Sequence, residues 1–361
     1  MGIFNNLFDI DSRDSYAVTG LNNELNSLYI YNYFIKNKKN NLVITNSLYE
    51  ANDVYNRLLN YTNKVLFFPM DDFITSEVTD ISPEFVIDRL TTLNKLLGSG
   101  KYIVVTNLMG ILRYLPNTKL YKNKIIDINK DMDIDRDDFI NKLFDLGYEK
   151  KPVVSRTGEM AIRGYVIDIF PIEFDNPIRI EFWGDTIDSI KYFDLEDQIS
   201  NTSIDSVKIY PYTEFLIDGK IGDNIIRKQK YLLNYSDSVS GLWDYVSDSV
   251  IFYYDYNQII NSYSLLRENI LEYDSELDDD IKTNYMWNIE DISNKHNIYI
   301  LDIDNLIDLD VNNKKYVSYS IENYCGNFEK LKLDLIRYIK SGKTVILCVD
   351  DRNVVKRIVT Y

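Results

Sequence analysis

Short apolar runs alternate with longer segments of helical period through the first third of the chain. Tyr16-Ala17-Val18-Thr19, Asn41-Leu42-Val43-Ile44-Thr45, Val65-Leu66-Phe67-Phe68-Pro69 and Tyr102-Ile103-Val104-Val105-Thr106 are apolar at successive positions, as in strands buried on both faces. Residues 24–37, 48–61 and 83–97 read as the helices between them. Ser47 with Glu50 forms a capping-box signal at the start of the second. Ser82-Pro83-Glu84 opens the third with proline in the first turn, and Gly98 and Gly100 end it. A short helix at 108–114 follows the fourth strand. Strands alternating with helices predict a parallel sheet covered on both faces.

Near residue 118 the pattern changes. A strand around Ile125-Ile126-Asp127-Ile128 and a helix over 135–146, ended by Gly147, lead into a strand-rich stretch at 158–200. There Ile162, Val166, Ile167, Ile169 and Phe170 crowd a short apolar run, closed by Pro171 and by Asp175-Asn176-Pro177. Ile178-Arg179-Ile180-Glu181-Phe182-Trp183 then alternates with a period of two. Ile178, Ile180 and Phe182 fall on one face, and Arg179, Glu181 and Trp183 on the other. The strands run on to Lys208-Ile209-Tyr210-Pro211. From Glu214 the α/β rhythm returns, with strands at Val250-Ile251-Phe252-Tyr253-Tyr254-Asp255 and Ile298-Tyr299-Ile300-Leu301-Asp302 around a helix at 258–273. After 316–319, an amphipathic helix at 327–340 precedes a strand over 345–350. The expected organisation is an α/β domain in two halves, 1–118 and 213–318. An antiparallel α+β domain at 119–212 interrupts it, and a further α/β unit begins at 319–361, as in an N-terminal piece of a longer protein.

Charge narrows the partners. A formal charge of −16 and a pI near 4.6 oppose the phosphate neutralisation that drives duplex binding, so nucleic acid is not the expected main partner of this chain. Cys325 and Cys348 lie far apart, which fits a reducing cytoplasm and offers no thiolate metal site. The lone histidine, His296, excludes multi-histidine zinc geometry and reads as part of a polar turn before a strand. The N-terminal MGIFNNLFDI lacks the basic and apolar regions of a signal peptide, Asn6 breaks the myristoylation pattern, and no apolar run reaches spanning length.

The first strand and helix meet where a phosphate loop would sit, but the turn reads Thr19-Gly20-Leu21-Asn22-Asn23-Glu24. It has no second glycine and no lysine, and places a carboxylate where phosphate charge would go. The strand that ends at Asp255 continues with Tyr256, so the second carboxylate that would orient an attacking water is missing. Thr19, Gly20, Leu21 and Asp255 therefore read as a nucleotide site that has lost its working residues, and no cofactor is expected. Gly342-Lys343-Thr344 precedes a strand rather than following one, and reads as a turn. Asp71-Asp72, the acidic run at 274–280 and the Asp302, Asp304, Asp308 and Asp310 series read as solvated surface. Asp168, Glu173, Asp175, Asp185, Asp188 and Asp194 are expected mostly on open sheet faces rather than as a facing acid–base pair.

The outward row is the strongest functional candidate. Arg and Trp dominate binding hot spots because each buries much area while keeping a directional polar handle, and Arg163 on a neighbouring strand is placed to join Arg179, Glu181 and Trp183. The alternative reading is a solvated face with cross-strand ion pairs. The blocks GEMAIRGYVIDIFP (158–171), PIRIEFWGDTIDSI (177–190) and FDLEDQIS (193–200) are similar to those of the Mfd family of bacterial transcription-repair coupling factors. The resemblance implies a degenerate helicase-like α/β domain, of P-loop descent, interrupted by a UvrA-binding α+β domain. It implies that Arg163, Arg179, Glu181 and Trp183 contact the damage sensor UvrA. It also implies that RNA polymerase and DNA are engaged by domains beyond Tyr361, and that a C-terminal domain of the full-length protein masks the UvrA-binding face. The short stretch between Pro69 and Arg89 lacks the DNA-clamping hairpin of UvrB itself. Thr186, where an acidic residue is common, and Tyr165, often glycine, depart from the family pattern. Two other readings compete: an active UvrB-type ATPase, and a carboxylate-dependent enzyme centred on the inserted domain.

Overall fold

The computed structural model describes residues 7–10, 14–71, 82–218, 229–236, 238–246, 248–276, 284–292, 296–301, 311–319, 324–347 and 352–360. It opens with β1 (Tyr16–Thr19), α1 (Asn23–Asn37), β2 (Asn40–Thr45), α2 (Leu48–Leu59), β3 (Val65–Phe68), α3 (Pro83–Leu96), β4 (Ile103–Asn107) and α4 (Leu108–Leu112). Local chemistry sets these boundaries. Asn22 Oδ1 accepts from the Leu25 amide at 3.0 Å and starts α1. The capping box forms as the sequence predicts, with Ser47 Oγ accepting from the Glu50 amide at 3.2 Å and Glu50 Oε2 accepting from the Ser47 amide at 3.3 Å.

β5 (Leu115–Pro116) and α5 (Thr118–Lys124) lead to the insertion: β6 (Ile126–Asn129), α6 (Arg136–Asp145), β7 (Glu149–Lys150), β8 (Glu159–Arg163), β9 (Val166–Ile169), β10 (Ile178–Trp183), β11 (Thr186–Phe193), β12 (Ser200–Ile204) and β13 (Ser206–Ile209). The return half holds β14 (Val239–Ser240), α7 (Leu242–Tyr245), β15 (Ser249–Tyr254), α8 (Tyr256–Glu276), β16 (Asn297–Leu301) and β17 (Asn312–Lys315).

The larger sheet is ordered β17-β1-β16-β15-β2-β4-β3, and every pairing in it is parallel. Alternate side chains enter opposite cores. Val43, Val105, Phe252 and Ile298 pack with Tyr29 and Tyr33 of α1, while Leu42, Val104 and Ile251 pack with Leu90 and Leu93 of α3. Burial on both faces is why these strands read as continuous apolar runs. Leu120 and Tyr121 of α5 lie in the α3-side core, and the core of the insertion begins with Ile128.

The insertion carries a second sheet, β12-β11-β10-β9-β8-β7, antiparallel except at the short β7–β8 pair. Its inner face sets Ile167, Ile169, Ile178, Ile180 and Phe182 against Phe139 and Leu143 of α6. The β6–β13 ribbon adds Ile128, Val207 and Ile209 to the same core. Among the described contacts at the junction of the insertion and the parallel-sheet domain, two stand out. Ile172, in the loop after β9, is fully buried in the α3-side core. Glu214, where the chain returns, accepts from Arg89 Nε at 2.7 Å and from Arg113 Nε and Nη2 at 2.9 and 2.6 Å.

Residues 317–361 form a separate compact unit with α9 (Phe328–Lys340) and α10 (Arg352–Thr360). Asn327 caps α9, accepting from the Lys330 amide at 3.0 Å. Gly342-Lys343-Thr344 is a turn, as expected: the Gly342 and Lys343 amides bond back to the carbonyls of Ile339 and Tyr338 and close the end of α9. The strand expected over 345–350 differs. The structure assigns no strand to 345–347, and 348–350 lie outside the described residues.

Candidate partner-binding face and the altered nucleotide cleft

The register of β8 to β11 builds the outer face of the insertion. Arg179 lies between Asp168 on β9 and Lys191 on β11, and Glu181 between Val166 and Ser189, with Arg163 across from Val166. A register shift follows Glu181, and Trp183 at the end of β10 pairs with Thr186 across the turn at Gly184, whose φ of 63° suits glycine. Arg163, Arg179, Glu181 and Trp183 therefore share one face. Its far end is roofed by a small apolar group of Val154, Ala161, Phe170 and Phe193.

Their environments differ. Trp183 is 83% exposed, a large aromatic side chain left open on the sheet face. Glu181 accepts from Lys191 Nζ at 2.7 Å and from Ser189 Oγ, and these bonds, with the nearby Arg179 charge, hold its carboxyl below the ordinary range. Arg179 is not the open arginine that the alternation suggested: its side chain is only 16% exposed. It grips Asp168 in a two-pronged pair, Nε to Oδ1 at 2.7 Å and Nη2 to Oδ2 at 3.0 Å, and lies 4.7 Å from the Phe193 ring centroid. That bonding raises its already high pKa further. Arg163 Nη2 reaches the same Asp168 Oδ2 at 3.3 Å, with its side chain 47% exposed.

Asp168 corrects a second expectation. Its carboxylate is 1% exposed, not on an open sheet face, because two guanidinium groups close over it. The residues missed by sequence reasoning are Asp168 and Lys191, the partners that fix Arg163, Arg179 and Glu181. The period-two pattern already put Asp168 on the outward side of β9; only the strand register, which places it opposite Arg179, reveals the role.

A cleft of about 220 Å³ lies beyond the carboxyl ends of the parallel strands, where such folds bind ligands. β16 separates β1 from β15. Glu50, Asp53 and Asp255 line the cleft with Asn23, Asn26 and Tyr254. Thr19, Gly20 and Leu21 do not line it. They are buried in a tight turn in which Gly20 takes φ 83°, Thr19 Oγ1 donates to Asn313 Oδ1 at 3.2 Å, and the Thr19 carbonyl accepts from the Tyr316 amide at 2.9 Å. Asp255 accepts from Gln258 Nε2 at 2.7 Å and caps α8. An acidic lining and a closed turn do not fit a nucleotide polyphosphate.

Other candidates resolve simply. The His296 ring packs near Tyr33 and Tyr16, at 6.0 and 6.5 Å between centroids. Among the described residues there is no group of three metal-ligating side chains, and no helix is long and apolar enough to cross a membrane. Cys348, Asp72, the Asp302–Asp310 series, the end of the acidic run and most of the Pro69–Arg89 connection lie outside the described residues.

Residues 126–215 match the family model of the UvrB interaction domain. The chain is 35% identical over 216 residues to the transcription-repair-coupling factor of Staphylococcus haemolyticus, covering 59% of this chain and 18% of that protein. It is 32% identical over 235 residues to that of Staphylococcus epidermidis, covering 64% and 20%, and 32% identical over 220 residues to that of Staphylococcus aureus, covering 60% and 19%. The chain spans about a fifth of the length of these curated relatives. Residues 126–215, which match the UvrB interaction domain model, lie between the halves of a helicase-like parallel-sheet domain, and the chain is similar to the N-terminal region of the transcription-repair-coupling factors.

Proposed function

We propose that this chain is a UvrA-recruiting module that acts in transcription-coupled nucleotide excision repair in the cytoplasm, and that it hydrolyses no ATP. UvrA docks on the outer face of the insertion through Arg163, Arg179, Glu181 and Trp183. The observation that carries the reading is Trp183, largely presented to solvent on the same face as an ordered arginine–carboxylate array, on a sheet whose other face is a closed core. An exposed aromatic next to pre-oriented guanidinium groups is what a protein-binding hot spot needs, because little side-chain entropy remains to be lost on docking.

The competing enzymatic readings find less support. A general base needs a carboxylate open to substrate, whereas Asp168 is buried under two guanidinium groups. An ATPase needs phosphate-wrapping amides, whereas the cleft offers carboxylates. RNA polymerase and DNA are engaged by parts of the full-length protein outside this fifth, and one of those parts masks the UvrA-binding face at rest. Co-elution of the purified chain with UvrA on size exclusion tests the reading. A shared peak, lost with Trp183→Ala, supports it; separate elution at concentrations well above micromolar contradicts it.

A further inference from the structure

Resting on the UvrA reading, we infer that Asp168 is a positioning residue of the docking face and that Arg163, not Arg179, is the guanidinium that meets the partner's carboxylate. The two arginines divide one carboxylate unequally. Arg179 takes both oxygens of Asp168, at 2.7 and 3.0 Å. Its Nη1 donates onward to the Gln198 carbonyl at 3.2 Å and Ser200 Oγ at 3.4 Å, and its plane faces the Phe193 ring. Nε, Nη1 and Nη2 of Arg179 are thus all engaged within the insertion. Arg163 touches the pair through Nη2 alone, at 3.3 Å, and its side chain is 47% exposed. One carboxylate between two guanidinium groups leaves a net charge of +1 on the trio, and the exposed group, Arg163, is the one able to present it. Asp168 holds that group at the row that leads through Val166 to Glu181, two strand spacings across the sheet from β10 and its Trp183 end. The surface that fits is an acidic side chain on the partner, beside an apolar pocket that takes the indole.

Charge and position make opposite forecasts, which renders the inference testable. Asp168→Asn removes a negative charge and raises the trio to +2. If Asp168 acted only as a counter-charge, the variant would bind an acidic partner more tightly. As a positioning residue its loss weakens binding, because both guanidinium groups lose their anchor. The experiment is a double-mutant cycle of UvrA binding with the parent chain, Asp168→Asn, Arg163→Ala and the double variant, each measured well below its own thermal midpoint and with a parental circular-dichroism spectrum. The inference expects Asp168→Asn to weaken binding about tenfold, and most of that loss to vanish in the Arg163→Ala background. Binding that is unchanged or tighter in Asp168→Asn, or a loss of equal size in both backgrounds, overturns it.

Nitrogen-15 spectra of the arginine side chains supply the readout that needs no partner. The Arg179 Nε–H signal and the Arg163 Nη2–H signal should be resolved and slowed in exchange in the parent, and broadened or lost in Asp168→Asn. If UvrA fails to bind the parent, the docking reading falls; the spectra still decide whether Asp168 pins the two arginines, and signals unaffected by Asp168→Asn overturn that too.

Discussion

Glu214 and Arg113 meet at 2.6 Å in a site from which water is excluded, and Arg89 Nε closes the carboxylate from its other oxygen at 2.7 Å. The three residues come from α3, the end of α4 and the point just past the insertion, so one carboxylate fastens the returning chain to the first half of the host domain. Burial by itself pushes the Glu214 carboxyl up. The Arg113 and Arg89 charges and hydrogen bonds outweigh burial and hold it below its ordinary value. Removing it strands two buried cations. Glu214→Ala should cost about 3–5 kcal/mol of stability, measured by urea unfolding.

The same pair fixes a pH dependence. A carboxyl whose pKa is lower folded than unfolded contributes stability that is fully present above its unfolded value, about 4.3 for glutamate, and is lost as pH falls through the folded value. The stability gap between the parent and Glu214→Gln should therefore be constant near neutral pH and shrink below about pH 4. Unfolding midpoints from pH 3 to 7 would test this; a gap that widened toward low pH would refute the assignment.

The two faces of β10 should respond oppositely. Phe182 is nearly fully buried against Phe139, and Phe182→Ala should destabilise the insertion by about 3–5 kcal/mol. Trp183 touches almost nothing, so Trp183→Ala should change stability by no more than about 0.5 kcal/mol. Thermal unfolding of both variants distinguishes a docking residue from a core one.

In the cleft beyond the carboxyl ends of the parallel strands, Asp255 serves a helix. It sits at φ 61° and caps α8 through Gln258, a place that asparagine fills equally well. Asp255→Asn should be nearly neutral and Asp255→Ala should cost about 1 kcal/mol. Millimolar ATP with magnesium should leave the thermal midpoint of the parent unmoved, since a ligand that binds the folded state must raise it.

Much of this molecule is legible in its sequence because the signals are local. The capping box at Ser47 and Glu50, proline at the start of α3, and the doubly buried strands follow from patterns a few residues long, and the alternation at Ile178, Ile180 and Phe182 names the buried face of β10. What the pattern misses is long-range pairing. Asp168 and Arg179 are 11 residues apart, and Glu214 and Arg89 are 125 apart, and nothing in either neighbourhood announces its partner. The exposed reading of Arg179 and the open-face reading of Asp168 fail for one reason: opposite charges facing each other across strands bury one another. The missing glycine and lysine after β1 are legible in the sequence; the acidic lining of the cleft, Glu50 and Asp53 from α2 with Asp255 after β15, emerges only from the fold.

The central claim is that the outer face of the insertion binds UvrA, and calorimetric titration of this chain with purified UvrA tests it most directly, beside Trp183→Ala and Arg163→Ala. The account predicts saturable binding by the parent, weakened by about 2 kcal/mol or more in each variant while their thermal midpoints stay close to the parent's. Binding of full strength in both variants would move the docking site off this face, and no heat of binding from the parent would contradict the account outright.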